Sequence, residues 1–222
     1  MKYILTTIIF LMSTSLYADL QYSKDGELLD PGMYWAIHAR EELADIKEGK
    51  GNKDKFMNHL KVSASYGFKP AMISISAVYQ NGDYGFEQNL PEAYAWWILS
   101  MGDVTEKHQE NINKFKAAMT EEQNRKAERL IQEYSGFYSQ DATIKKFERW
   151  FADATAVTGS RLGGDHSYLN LQVKTNGRTV SASEFYNRLN KIQEARFDDL
   201  YKVIPQEIQT KDDKKSKKEL KN

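Results

Sequence analysis

The amino-acid sequence predicts a mainly α-helical protein: a short array of paired helices with a helical cap, followed by a small α+β module with a β-hairpin. Three observations support this fold class. Apolar residues recur at helical spacing through much of residues 34–156. A helix with a small residue, an aliphatic residue and a second small residue, followed by a glycine-containing loop and another helix, occurs twice, and the two copies end at Ser63 and Ser100, one helical-hairpin repeat apart. Residues 168–174 alternate between apolar and polar side chains, which is typical of a strand.

Residues 1–18 have the three-part order of a secretory signal peptide. Lys2 gives a positive start, an apolar run covers residues 4–12, and Ala18 stands where cleavage is expected. The run is shorter than the ~20 residues that span a bilayer. We therefore expect a mature chain that is periplasmic or secreted, with no membrane insertion after signal removal. An uncleaved anchor and a buried first helix are the alternatives.

The composition limits the classes of partner. The 222 residues include 31 Lys and Arg against 31 Asp and Glu, so bulk charge predicts no nucleic-acid partner. There is no cysteine, so the mature chain must be held together by core packing without disulfides. Its length is sufficient for one domain or two small ones.

Helical spacing of apolar residues predicts three helices in the first part of the mature chain, over residues 34–47, 56–64 and 71–80. A stretch rich in glycine and lysine separates the first two. Gly67 and Pro70 mark the turn before the third.

A fourth helix is predicted from Asn89 to Ser100 or Met101. Asn89 can cap the free backbone N–H groups of the first turn, and Glu92 follows three residues later, as in a capping box. Pro91 lies in the first turn, where its missing N–H does little harm.

Two adjacent tryptophans lie in this fourth helix. Ala93, Trp96, Trp97 and Ser100 follow one stripe that alternates small and large side chains. Such a stripe packs against a neighbouring helix, so core packing is favoured over a membrane anchor or a ligand platform. Trp97 is turned by ~100° from Trp96 and is expected to reach another neighbour or a groove.

Residues 69–102 resemble a Sel1-like repeat, a relative of the tetratricopeptide repeat. The positions that match the pattern of that family are Ala71, Ile75, Ser76, Tyr79, Gly82, Gly85, Asn89, Ala93 and Trp96. Ser76 stands where glycine is usual, and Ser100-Met101 replaces a pair of alanines. Residues 36–67 form a weaker copy, in which Lys47 replaces the tyrosine and His59 the tryptophan.

The resemblance implies stacked helical hairpins that act as an adaptor or scaffold, without catalysis and without a cofactor. Two copies are few, so a flanking helix must serve as a cap. A protein or peptide partner is expected on the concave surface formed by the first helix of each hairpin. The exposed residues expected there are Arg40, Lys47, Ser74 and Gln80.

Three further helices are predicted downstream of the repeats. Residues 105–119 are polar and helix-compatible, and Thr120 with Gln123 forms a second capping-box pattern. The helix that follows carries one apolar stripe, made of Ala127, Leu130, Ile131 and Tyr134. Residues 142–156 complete a predicted helical repeat domain over residues 19–157.

A small α+β module is predicted over residues 158–205. Residues 158–165 are glycine-rich and read as a loop, and the strand signal at residues 168–174 is followed by the hairpin dipeptide Asn176-Gly177 and a short return strand. Ser181 and Glu184 then begin a helix that is predicted to reach about Val203. Residues 206–222 form a lysine-rich tail that is expected to be disordered.

No catalytic or metal-binding motif is found in the sequence. The four histidines have no metal-binding spacing, and there is no cysteine to assist them. The pair Glu41-Glu42 is interpreted as ordinary solvated charge, since adjacent helical residues do not face each other. We therefore predict no metal, no cofactor and no enzyme activity.

Two other functions remain open. A hydrolase acting on cell-envelope material, or an envelope-binding protein, would use the glycine-rich loop at residues 158–166, with Ser160, Arg161, Asp165 and His166 as the group that carries it. A structural or assembly factor would use the lysine-rich tail to contact another exported protein.

Overall fold

The computed structural model describes residues 20–23, 27–102, 104–156, 172–175 and 178–201. These residues form eight α-helices and one two-stranded sheet, so the prediction of a mainly helical protein is confirmed. The elements are α1 Pro31–Lys47, α2 Lys53–Ser65, α3 Lys69–Asn81, α4 Leu90–Met101, α5 Glu106–Ala117, α6 Glu121–Tyr138, α7 Gln140–Ala156, β1 Gln172–Thr175, β2 Arg178–Ser181 and α8 Ala182–Tyr201. None of the described helices combines the length and apolarity that a membrane crossing requires.

Side-chain caps fix where the first two helices begin. The Asp30 carboxylate accepts a hydrogen bond from the backbone N–H of Met33 at 3.1 Å, and Pro31 occupies the first turn, so α1 begins three residues before its predicted start. The Asn52 side chain accepts from the N–H groups of Asp54 and Lys55 and begins α2.

The boundary between α3 and α4 follows the sequence prediction in part. Gly82 has φ +73°, a left-handed conformation that ends α3 at little steric expense. The Asn89 side chain accepts from the Glu92 N–H at 3.3 Å, as predicted. The second half of the predicted capping box is wrong: the Asn89 N–H donates to the carbonyl of Tyr79, and the Glu92 carboxylate accepts from the hydroxyl of Tyr134.

The start of α6 has the complete capping box that the sequence predicts. The Gln123 N–H donates to the Thr120 hydroxyl at 3.2 Å, and the Gln123 side chain accepts from the Thr120 N–H at 2.9 Å. Charged residues cover the outer face of this helix, while Ala127 is fully buried. An outermost helix with one apolar stripe is the arrangement expected of a cap.

The helices pack in a layered order. Helices α1 to α4 pack consecutively as two hairpins, and α6 packs next on α4. The first hydrophobic core lies inside these hairpins and includes Phe56, Leu60, Ile75 and Trp96. A second cluster of Tyr94, Ile112, Met119 and Ala127 lies between α4, α5 and α6. Helix α4 is therefore covered on more than one side.

The C-terminal hairpin and α8 join a third core. Strands β1 and β2 pair antiparallel, with Val173 opposite Val180 and Thr175 opposite Arg178. The apolar side of α8, with Phe185 and Leu189 fully buried, packs with side chains of α7 and with Leu28 of the N-terminal segment. The predicted division between residues 157 and 158 stays a prediction.

Several predicted features lie outside the described residues. They are the signal peptide at residues 1–18, the glycine-rich loop at residues 158–166, the start of the predicted strand at residues 168–171, the turn dipeptide Asn176-Gly177, Val203 and the tail at residues 206–222.

Candidate functional site

The predicted repeat positions meet between α3 and α4. Ala71, Ile75, Ala93 and Trp96 are all buried there. The Ser76 hydroxyl, which replaces the usual glycine of the repeat pattern, donates to the carbonyl of Ala93 at 2.7 Å. A small polar side chain thus fits the close contact between helices because its own hydroxyl is satisfied there.

The remaining repeat positions shape the loop between the two helices. Tyr79 is half-buried and meets Phe86 edge-on, with ring centroids 6.0 Å apart. Gly82 and Gly85 both have positive φ. Asn89 closes the loop, through its cap on α4 and the bond from its backbone N–H to Tyr79.

The two tryptophans have different neighbours. Trp96 is fully buried between the rings of Tyr134 and Tyr138 of α6, with centroid distances of 5.1 and 4.6 Å. Trp97 is half-buried and stacks on Phe115 of α5 at 5.3 Å. The sequence left two possibilities for Trp97, contact with another neighbour or with a groove. The structure shows contact with a neighbour, because the ring lies against a helix.

The predicted partner residues are exposed on α1 and α3. Arg40, Lys47, Ser74 and Gln80 all face solvent. The Ser74 hydroxyl donates to the carbonyl of Pro70 within its own helix, at 2.8 Å. Side-chain exposure is therefore as the sequence predicts, while the use of these residues in binding stays a prediction.

The exposed face of α3 has a feature that sequence reasoning missed. Pro70, Ile73, Ser74, Ala77 and Gln80 recur at helical spacing, are all exposed, and include no charged residue over three turns. Ile73 is 52% exposed. The signal was present in the sequence as a second, weaker apolar stripe opposite the buried one.

A buried acid supports the hairpin of α1 and α2. The Glu42 carboxylate accepts from the Lys55 ammonium at 2.6 Å and from the Asn52 N–H at 2.7 Å, and these bonds lower the pKa of Glu42. The prediction that Glu41 and Glu42 are both ordinary solvated charges is wrong for Glu42, which is 6% exposed. Its carboxylate binds the start of the next helix.

His59 lies beside this acid in an aromatic cluster. Its ring stacks on Trp35 at 5.2 Å and approaches the ring of His38 at 5.8 Å. Burial lowers the pKa of His59, and the nearby His38 and Lys55 lower it further. Its Nδ1 atom has no hydrogen-bond partner within the described part of the chain.

A cavity of about 680 Å³ opens between the beginning of α3 and helices α7 and α8. Its walls are mainly apolar and include Leu28, Leu29, Phe68, Leu99, Ile144 and Ile192. This volume is within the ~300–1,000 Å³ typical of small-molecule sites.

An ion pair lies in the wall of this cavity. Arg196 donates to the Asp30 carboxylate at 2.8 Å, and its guanidinium lies over the Phe147 ring at 4.4 Å. Gly67 faces the pair, where a Cβ atom would come within 2.7 Å of the Arg196 guanidinium and 2.9 Å of the Thr143 hydroxyl. A side chain at this position would therefore displace Arg196 or Thr143, and the φ of +79° at Gly67 also favours glycine.

Sequence reasoning did not predict the cavity. Its ion pair joins residues that are 166 positions apart, and the apolar residues named above come from five separate segments. Helical periodicity identifies which residues are buried, but it does not identify which helix ends leave space between them.

The alternative hydrolase group is not tested by the structure. Ser160, Arg161, Asp165 and His166 lie outside the described residues. Within the ranges that are described, no group of three or more His, Cys, Asp or Glu side chains is arranged to hold a metal ion.

Comparison with known proteins gives one structural similarity. No protein-family model matches the chain, and no curated protein sequence matches it. The chain is similar to the crystal structure of a protective antigen present in uropathogenic Escherichia coli strains, which displays an SLR fold, with 22% sequence identity and a TM-score of 0.40. The similarity covers 56% of this chain and 26% of the antigen, so the chain spans about a quarter of that protein's length. The assignment of residues 36–102 to Sel1-like repeats stays a resemblance.

Proposed function

We propose that this protein is an exported adaptor or scaffold that binds a segment of another protein through the exposed faces of α1 and α3. The observation that carries the proposal is the uncharged face of α3, from Pro70 to Gln80, with Ile73 half exposed at its centre. Charged residues are depleted at the centre of protein interfaces, and exposed apolar side chains at helical spacing are typical of such a surface.

The exposed face of α1 differs in charge. Arg40 and Lys47 are exposed there, and both are basic. An uncharged face on α3 together with basic residues on α1 suits a partner segment that carries both apolar and acidic residues. The hydrophobic core beneath both helices holds the backbone of this surface in place.

Export is the second part of the proposal and rests on the sequence of residues 1–18. Lys2, the apolar run at residues 4–12 and Ala18 have the order of a signal peptide. The partner is accordingly sought in the periplasm or outside the cell.

Site-specific photo-crosslinking in the native cell tests both parts of the proposal. A photoreactive amino acid replaces Ile73, and adducts are purified from the periplasmic and extracellular fractions and identified by mass spectrometry. The mass of the unreacted protein in the same fractions should correspond to a chain that begins near residue 19. We expect one discrete partner at position 73, lost when Ala77→Arg places a charge one turn further along the face.

Val104 provides the matched control position. It is another aliphatic side chain that branches at Cβ, and it is 49% exposed against 52% for Ile73. No adduct at position 73, the same adducts at both positions, or an Ala77→Arg variant that still captures the partner would contradict the binding surface. Retention of the full-length chain in the cytoplasm would contradict export alone.

A further inference from the structure

The cavity between α3, α7 and α8 has an interior suited to hydrocarbon. Three of the polar side chains that line it already have partners: Asp30 accepts from Arg196 and from the Met33 N–H, and the Thr143 hydroxyl donates to the carbonyl of Gln140. A peptide in this space would bring one donor and one acceptor per residue and leave most of them without a partner. An alkyl chain needs no such partners.

The charges at the cavity are unequal. Three basic residues, Lys69, Lys191 and Arg196, line it against one acid, Asp30, which pairs with Arg196. No acidic side chain in the described ranges forms an ion pair with Lys69 or Lys191. Lys69 is half-buried and Lys191 is exposed, so both of these lining residues are accessible to solvent.

We propose that this cavity binds one acyl chain that ends in an anionic group. The chain lies against the apolar walls between α3, α7 and α8, and the anionic head lies beside Lys69 and Lys191. This ligand site goes beyond the proposed protein-binding function and does not depend on it. Separate substitutions test the binding face of α3 and the cavity.

Competition between ligands with the same chain and different heads tests the proposal. The purified mature protein is loaded with a fluorescent polyene fatty acid as the probe. Palmitate, hexadecanol or hexadecyltrimethylammonium is then added, each below its micelle concentration, to displace the probe. Palmitate should displace the probe most strongly and the cation least. Palmitoyl-lysophosphatidylglycerol, added in parallel, shows whether a carboxylate or a phosphate head is preferred, and tighter binding of either anion supports the site.

Two kinds of variant separate the head from the chain. Lys69→Glu with Lys191→Glu should weaken palmitate binding about tenfold or more and leave hexadecanol binding unchanged, as expected when two partly solvated attractions become repulsions. Ala195→Trp, which fills the cavity from an exposed position on α8, should weaken binding of every ligand. If circular dichroism shows that Ala195→Trp is unfolded, Met33→Trp at the rim takes its place.

The matched control is Lys126→Glu with Lys145→Glu, which makes the same change of charge at two exposed lysines that do not line the cavity. Three results would overturn the proposal: palmitate that does not displace the probe, a cationic ligand that binds as tightly as palmitate, or cavity-filling variants that bind as the unmodified protein does. A control pair that weakens palmitate binding as much as the cavity pair would also overturn it.

Discussion

At the scale of single residues, the interface between α1 and α2 depends on ionisable groups in unusual surroundings. Glu42 stays charged because Lys55 and the Asn52 N–H bind its carboxylate, while His59 resists protonation because its ring is partly buried beside His38. The environments of these two groups shift their pKa values in the same direction. They affect stability in different pH ranges, however, because a carboxyl group and an imidazole titrate around different ordinary values.

The histidine gives the first prediction at this scale. The pKa of His59 is lower in the folded protein than the ordinary value of ~6.5, so the unfolded chain takes up the proton first. The contribution of His59 is fully present above pH ~6.5 and is lost progressively as the pH falls towards the lowered pKa of the folded state. We expect the free energy of unfolding, measured by urea denaturation from pH 8 to pH 5, to fall less steeply in His59→Gln than in the unmodified protein.

The control for this prediction is His38→Gln. Burial is the main cause of the lowered pKa of His59, with the charge of His38 a smaller one, so most of the decline should remain in this variant. Glu42 faces His59 with the opposite effect, but the lowered pKa of its own carboxyl group confines its titration to more acidic conditions. Equal slopes in His59→Gln and in the unmodified protein would contradict the prediction.

At the scale of secondary-structure elements, the sequence predicted which segments are helical better than it predicted which side chains of different helices bind each other. The caps at Asn89 and Thr120 and the buried faces of α2 and α4 follow from local rules about orphan N–H groups and helical periodicity. The bond between Glu92 and Tyr134 does not follow from these local rules, because a neighbouring helix competes for the carboxylate that a local capping box would use. Local patterns show what a side chain can do, and tertiary packing decides which partner it takes.

The adjacent tryptophans of α4 provide a prediction at this scale. Trp96→Ala should lower the free energy of unfolding by about 3–5 kcal/mol, because it removes a fully buried side chain between Tyr134 and Tyr138. Trp97→Ala should lower it by about 1–3 kcal/mol, since Trp97 is half-buried and the substitution mainly removes its stacking on Phe115. Urea denaturation of both variants under the same conditions measures the difference.

A third variant separates volume from hydrogen bonding. The indole N–H of Trp96 is buried and has no hydrogen-bond partner among the described residues, so Trp96→Phe loses ring volume and no bond. Its effect should lie well below that of Trp96→Ala. If Trp96→Phe is as damaging as Trp96→Ala, or if Trp97 is the more costly of the two tryptophans to remove, the packing described for α4 is wrong.

At the scale of the whole molecule, α8 connects the end of the described chain to its beginning. Arg196 pairs with Asp30 at the start of α1, and the Trp150 indole N–H of α7 donates to the side chain of Gln21 at 3.2 Å. The sequence predicted α7, α8 and their apolar faces, but not these bonds, because nothing in helical periodicity relates segments so distant along the chain. Asp30 and Arg196 both line the cavity, so this bond joins α8 to the start of α1 in the cavity wall.

The last prediction concerns this connection. Asp30 and Arg196 are 21% and 14% exposed, so their ion pair is less screened by water than the exposed pairs of the surface. A double-mutant cycle of Asp30→Asn and Arg196→Met should give a coupling of about 1–3 kcal/mol in the free energy of unfolding. Asparagine keeps an oxygen that can cap α1, so the cycle isolates the contact with Arg196 from the cap.

The pair Glu110 and Lys114 on α5 is the matched control. Its members are 78% and 68% exposed, and their oxygen and nitrogen are 2.6 Å apart, closer than the 2.8 Å of the partly buried pair. The cycle of Glu110→Gln and Lys114→Met should give a coupling of about 0.5 kcal/mol or less, because solvent screens it. Similar couplings in the two cycles would mean that the ion pair of Asp30 and Arg196 does not hold α8 to α1. The partial burial of that pair would then have no measurable consequence for how the ends of the described chain are joined.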